Sequence, residues 1–269
     1  MNSSDSLNTN WRKVASTIYR KPVDSKIYGS VELDVTELEK YIAAKRKAGT
    51  KITLTHVITL IVGRAIKLEV PELNTFVKRG KITPRPQIDA MVSVLLQKGE
   101  MGSVKIENID KLTITELADE IAEKINASRK GNENDTMQSK HLLSKIPWPF
   151  RSWVFFLYRL FTIHWGFSFP VIKLSANSFG SYVVSNIGTL GLDSGYGALM
   201  PSGNVSIVMI LGGVIKKPVV VKDEIVPRRI LSLSATLDHR VVDGSHGGKL
   251  FRFIRQMVKN PELLDQHLG

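Results

Sequence analysis

Thr236-Leu-Asp-His-Arg-Val-Val-Asp-Gly244 is the stretch that decides how this chain reads. It follows Ile230 to Ala235 (ILSLSA), a short apolar run of the kind a buried strand shows, and precedes Lys249 to Val258 (KLFRFIRQMV), whose apolar residues recur at helical spacing. A histidine at the end of a core strand, on a short turn before a helix, is held still and open to a substrate. That placement suits a general base, which needs geometry first and a pKa near working pH second. Histidine is the side chain whose ordinary pKa already lies there. Alone, a histidine before a turn reads first as a satisfied polar residue, so a second group is needed. Phe179-Gly-Ser-Tyr-Val-Val-Ser-Asn-Ile-Gly188 supplies one: a short strand ending in Ser185-Asn186 and a glycine-opened turn, before His239 in the chain.

Outward from these segments, helices and strands mix without strict alternation. A strand is expected over about 27–35, then a helix opened by a Thr36/Glu39 capping-box pattern and stopped at Gly49. A second, mostly apolar helix starts near Thr53 or Thr55 and ends before Pro71. Strands follow near 75–82 and 88–96, and Thr113 with Glu116 caps a helix reaching about Ser128. Further strands fall at 181–185 and 205–214, as a short pair around Val219 and Ile225, and at 230–237. The fold class is α/β, an open mixed sheet covered by helices rather than a doubly wound one.

A chain of 269 residues can bury one sizeable core. Residues 1–10 are polar and read as a flexible tail, and no linker-like run divides 11–269, which reads as one domain. The absence of cysteine excludes disulfides, thiolate metal sites and a cysteine nucleophile, and suits a cytoplasmic location. No HxxxH or HExxH pair occurs, so no metal is expected, and neither a GxGxxG nor a P-loop pattern opens a helix. His56 and His246 read as satisfied or solvated side chains.

Five segments complete a pattern. Asp238 to Gly244 is a DHRxxDG run, and Tyr182 to Gly188 follows a TFTxSNxG strand and turn with Ser185 and Asn186 in register. Val31 to Lys47, Lys51 to Asn74 and Lys259 to Leu264 follow their counterparts in the same order. In these the chain resembles the catalytic domain of the dihydrolipoamide acyltransferases, core subunits of 2-oxo acid dehydrogenase complexes, which have a chloramphenicol-acetyltransferase-like fold. The resemblance runs from about Trp11 to the end, apart from one segment.

The resemblance implies coenzyme A-dependent acyl transfer without a metal. His239 would take the proton from a thiol, and the thiolate would attack a thioester. Ser185 would donate to the developing oxyanion, and one such donor is worth about 3 kcal/mol. Asn186 would help shape the site. Asp243 would hold the histidine turn by pairing with an N-terminal arginine, for which Arg12 is the choice, and Gly244 would let the turn bend. The resemblance also implies a homotrimer with His239 of one chain facing Ser185 of the next. Acyl-CoA would be the donor. The sequence holds no lipoyl domain, subunit-binding domain or linkers, so the expectation is a stand-alone form served by a lipoyl carrier in trans.

Two segments depart from the family pattern. Glu100 to Glu107 (EMGSVKIE) stands where the family has a GL.vPv strand beside the substrate channel, so a different acceptor is allowed. Leu142 to Phe169 is an added stretch with three of the four tryptophans and six of the ten phenylalanines. A membrane span needs ~20 predominantly apolar residues, and Arg151, Arg159 and His164 interrupt this one. Three readings stay open: a helix lying in a membrane surface, a helix packed on the protein, and a lid over an apolar channel. The net charge of +12 favours polyanions such as coenzyme A and anionic lipid. Nucleic acid is not expected, because the basic residues are scattered. The rival functions are a peripheral membrane acyltransferase acting on a lipid or small acceptor, and a non-catalytic trimeric scaffold. The intact His239, Asp243 and Ser185 argue against the scaffold.

Overall fold

The computed structural model describes residues 25–95, 101–129, 147, 150–167, 179–199 and 203–268. In chain order the elements are β1 (Lys26–Asp34), α1 (Thr36–Lys47), α2 (Leu54–Leu68), β2 (Thr75–Lys78), β3 (Lys81–Pro84), β4 (Ala90–Leu95), β5 (Met101–Ile106), α3 (Ile114–Arg129), α4 (Phe150–Tyr158), β6 (Tyr182–Asn186), β7 (Ile207–Val221), β8 (Glu224–Asp238) and α5 (Gly244–Lys259). Six strands form one sheet in the order β1-β8-β7-β6-β4-β5, and β2 and β3 form a separate hairpin. β6 runs parallel to both β4 and β7, while the other pairings are antiparallel. The mixed sheet with helices expected from the sequence is therefore the observed one.

β7 and β8 are the sheet's spine. Lys222 and Asp223 join them, both with left-handed φ (51° and 65°), as the two-residue hairpin turn that matches strand twist requires. From Ile207 to Leu211 β7 is buried without a break, which explains its continuous apolar run: that half is covered on both faces. Beyond Lys216 and Arg229 only β7 and β8 remain paired, as a two-stranded ribbon. Lys217–Glu32, Arg228–Asp34 and Arg229–Glu39 ion pairs tie the base of this ribbon to β1 and α1.

α2 crosses the covered face, and every residue from Val57 to Ile66 is buried. A helix apolar all round has to sit in the core, and its polar groups must find partners there. Tyr182, wholly buried on β6, donates its hydroxyl to Thr59 O at 2.6 Å. The Arg64 guanidinium donates to Leu263 O, Leu112 O and Gln266 O at 2.7, 3.0 and 2.5 Å, which binds the C-terminal segment to the helix.

Three local expectations are corrected. The expected strand over 75–82 is a hairpin, because Arg79 and Gly80 take left-handed φ values (50° and 71°) and turn the chain back. The expected pair around Val219 and Ile225 is the outer half of β7 and β8, whose ladder continues through an irregularity between Leu211 and Val214. The Thr36/Glu39 capping box does not form. Thr36 gives its N–H and hydroxyl to Asp34 Oδ1 (3.0 and 2.6 Å), and Glu39 grips Arg229 with both oxygens. The Thr113/Glu116 box does form, with contacts of 2.8 and 3.3 Å.

His56 closes the N-terminus of α2. Its Nδ1 accepts the Thr53 N–H at 3.0 Å, and its own N–H donates to Thr53 Oγ1 at 3.3 Å. Burial, then the charge of Arg46, pushes the imidazole down from 6.5 to about 4. Between those values the unfolded chain holds a proton that the folded chain does not, so stability rises with pH there. The contribution is intact above pH 6.5 and is lost as pH falls towards about 4. His56→Gln keeps an acceptor for Thr53 but cannot titrate, so urea midpoints across this window should vary less in the variant than in the wild type.

Candidate active site

β8 delivers His239 to the sheet's end, where β1 lies alongside. The His239 N–H donates to Ser25 O at 2.6 Å, continuing the β1–β8 ladder by one step. The chain then turns through Arg240 and Val241, and His239 Nδ1 lies 2.8 Å from Val242 O. A carbonyl only accepts, so Nδ1 carries a proton, and in the neutral ring Nε2 keeps its lone pair. The side chain is exposed. The ring is thus fixed, in the tautomer a base needs.

Its neighbours hold the turn. Asp238 is 5% exposed, and Arg240 Nε reaches its two oxygens at 2.9 and 3.0 Å while Nη2 reaches Oδ2 at 2.5 Å. Ser25 Oγ adds a fourth contact at 3.3 Å. The sequence reading gave neither Asp238 nor Arg240 a role. Alternation of charge around the histidine was the available signal.

Asp243 is the N-cap of α5. Its carboxylate accepts from Ser245 Oγ at 2.7 Å and Ser245 N–H at 2.9 Å, and lies 2.9 Å from His246 Nδ1. These bonds, the Ser245 hydroxyl first and the His246 ring second, hold the carboxyl well below the usual carboxylate range. The expected arginine partner, Arg12, lies outside the described residues. Gly244, expected to let the turn bend, opens α5 without a left-handed φ, and a Cβ there would meet nothing within 4 Å. The bend is made before it, and Asp243 ends it.

Ser185 and Asn186 end β6. Asn186 Nδ2 donates to Thr55 Oγ1 at 3.1 Å, which ties the strand end to the first turn of α2. Ser185 is half-buried, and its hydroxyl has no hydrogen-bond partner among the described residues. Gly188 follows because nothing larger fits: a Cβ would lie 2.4 Å from Gly212 O, and one on Gly212 would lie 1.9 Å from Asp193 O. The two glycines let three backbones approach one another, and Gly212 sits at the ladder irregularity.

The sheet's register separates the two groups within one chain. Ser185 lies opposite Ile210, and Ile210 opposite Ser234. His239 is further along β8, roughly 17 Å at about 3.3 Å per residue, with two strand spacings of roughly 5 Å between. The structure therefore gathers His239, Asp243 and Gly244 at one end of the sheet and Ser185 and Asn186 elsewhere. Among the described residues no three metal-ligating side chains converge.

Comparison with known proteins follows the same lines. The family model for the 2-oxoacid dehydrogenases acyltransferase (catalytic domain) matches residues 8–142 and 172–265. The acetyltransferase component of the acetoin cleaving system of Bacillus subtilis (strain 168) is 24% identical over 240 residues, covering 87% of this chain and 50% of that protein. The chain spans about half the length of the curated relatives it matches. A probable dihydrolipoamide acetyltransferase from Listeria monocytogenes superposes with TM-score 0.64 at 20% identity, covering 97% of this chain and 93% of that one. The Azotobacter vinelandii dihydrolipoamide acetyltransferase, studied for the catalytic roles of a serine, a histidine and an asparagine, superposes with TM-score 0.62 at 18% identity, covering 89% and 83%.

The Gly188–Gly212 contact gives a direct test of the turn. Gly188→Ala should destabilise the protein by about 1–3 kcal/mol, the usual cost of overpacking, read from chemical unfolding. Gly191→Ala, strained by its φ of 82° but with open space around its Cβ, should cost less, about 1 kcal/mol.

Proposed function

The chain belongs to the 2-oxoacid dehydrogenases acyltransferase (catalytic domain) family, and on that premise we propose that it is a coenzyme A-dependent acyltransferase with His239 as general base. The observation that carries this reading is the bond from His239 Nδ1–H to Val242 O on an exposed turn. It leaves Nε2 as the one ring atom able to accept a proton. A thiol placed against Nε2 would lose its proton as sulfur attacks a thioester carbonyl, and the imidazolium would return that proton to the leaving thiolate. The Asp238–Arg240 pair keeps the turn from moving while this happens, and Asp243 anchors it to α5.

Ser185 is the proposed oxyanion donor, since its hydroxyl is uncommitted among the described residues and such a donor must be free to meet charge as it develops. The register keeps it from His239 of the same chain, which favours a homotrimer in which the His239 turn of one copy meets Ser185 of the next. The serine and histidine of the Azotobacter vinelandii enzyme have counterparts in kind in Ser185 and His239, and Asp243 would put a carboxylate where that enzyme has an amide. Residues 11–269 are read as one catalytic domain with an aromatic insert, because the family match leaves 143–171 uncovered. The proposed acceptor is a dihydrolipoyl thiol.

One observation favours a membrane-surface variant of this activity. α4 exposes Phe150, Trp153, Phe156 and Leu157, a cluster whose apolar area is unusual for a solvated helix. No helix among the described residues is long and apolar enough to cross a membrane, so contact would be peripheral.

Free coenzyme A released from acetyl-CoA and longer acyl-CoAs, with dihydrolipoamide as acceptor, tests the main reading. His239→Ala should abolish turnover, and Ser185→Ala should lower kcat about 10²–10³-fold. Folded wild-type protein that turns over no donor would refute it. Co-sedimentation with anionic vesicles tests the variant: wild type should pellet, and a Trp153→Ser/Phe156→Ser double substitution should stay in the supernatant.

A further inference from the structure

A cavity of about 520 Å³ lies against the His239 turn. Asp238 and Arg240 border it and His239 does not, so the base and the cavity occupy different flanks of one turn. Lys26 of β1, Arg79 of the β2–β3 turn, and Arg159 and His164 of the segment after α4 supply the facing walls.

The charge in this cavity is lopsided. Among the described residues, Arg79, Arg159 and Arg240 line the cavity with a single carboxylate, Asp238, and Arg240 already holds it. Arg79 and Arg159 have no carboxylate partner among the described residues. Arg159 Nε is buried without a hydrogen bond. Arg64, Arg85 and Arg228 share that orphaned nitrogen, but their guanidinium groups reach carbonyls or a carboxylate. No such contact is made by Arg159 among the described residues. A buried donor left open in a folded protein points to an acceptor that arrives from outside.

The walls are held in place. Arg79 takes φ 50° in a two-residue turn, gives its N–H to His164 O at 2.9 Å, and lies 5.8 Å from the centre of the Phe167 ring. Gly166, with φ 71°, crosses Lys78 so closely that a Cβ would lie 2.3 Å from its Cε. Residues Arg159–His164 form a π-helix, a rare wide turn frequent at functional sites. It follows α4 directly and sets Arg159 into the cavity. Arg159, Ile163, His164 and Trp165 fall between the two stretches that match the family, while Arg79, Asp238 and Arg240 fall within them, so one wall of the cavity is added to the common domain.

Arginine forks match the oxygens of phosphate groups better than any other side chain. We propose that this cavity is a binding site for a phosphate-bearing group, a phosphate ester or diphosphate, with Arg79 and Arg159 as its ligands. The same chemistry could come from the phosphates of coenzyme A, a free phosphate compound or an anionic lipid headgroup. The site stands on its own geometry and does not require His239 to be a base.

The test is calorimetric titration with inorganic pyrophosphate on the full chain. Saturable binding is expected, weaker at higher salt and reduced at least tenfold in Arg79→Gln and in Arg159→Gln. Arg159→Lys keeps the charge but loses the fork, and should fall between wild type and Arg159→Gln. Thermal melts of each variant identify any that is unfolded, and the lysine variant then carries the comparison. Coenzyme A and vesicles of phosphatidylglycerol against phosphatidylcholine are run in parallel. A tenfold loss for coenzyme A in the variants makes the donor's phosphates the occupant. Loss of phosphatidylglycerol binding alone beside pyrophosphate makes it a headgroup, and loss of pyrophosphate alone a free phosphate. Wild type that takes up no pyrophosphate, or folded variants that bind it unchanged, overturn the proposal whatever the acyl-transfer assay gives.

Discussion

The pairing of β7 with β8 is the constraint from which the rest of the molecule follows. Its register puts Leu237 opposite Ile207 and Val221 opposite Glu224, and a slip of one residue would turn every buried side chain of both strands to the other face. β1 adds to the outer edge of β8 and β6 to the free side of β7. The same register that fixes the sheet therefore fixes how far Ser185 lies from His239. A single copy therefore holds the two halves of the proposed chemistry at two separate places.

Much of this was legible in the sequence because it rests on local pattern. The buried run of α2, the Thr113/Glu116 cap, the strand before His239 and the helix after it are each written within a dozen residues. Two of the departures share one cause, which is a partner far away in the chain. Glu39 looked like a capping residue until Arg229, on a distant strand, offered two hydrogen bonds. Gly212-Gly213 looked like the end of a strand because the reason for it, the backbone of Asp193, is contributed by another loop. The Arg79-Gly80 turn was a miss of a different kind, since the signal was local and a glycine after a basic residue was passed over. At the site, pattern found the histidine but not the Asp238–Arg240 pair that steadies it, because steadiness depends on burial and Asp238 is buried by β1.

Two arginines, Arg64 buried and Arg159 half-buried, show how a guanidinium can be either structural or open. Arg64 gives three hydrogen bonds to carbonyls and fastens the C-terminal segment to α2. Arg159, on the segment absent from the family match, has an orphaned nitrogen and faces a cavity. The first kind of burial rigidifies a core. The second leaves a donor open beside the turn that carries the proposed base.

The two-stranded ribbon at the far end of the sheet has a consequence for how copies of this protein behave in crowded solution. Open strands invite other strands to pair with them. Here Pro218 and Pro227 face each other across the ribbon, and neither has an N–H to offer. Lys216, Lys217, Arg228 and Arg229 flank them with charged side chains, three of them held in ion pairs at the ribbon's base. A second ribbon approaching edge to edge would meet missing donors and solvated charges together, so this exposed edge is guarded against fibril-like stacking, and association is left to surfaces with a geometry of their own.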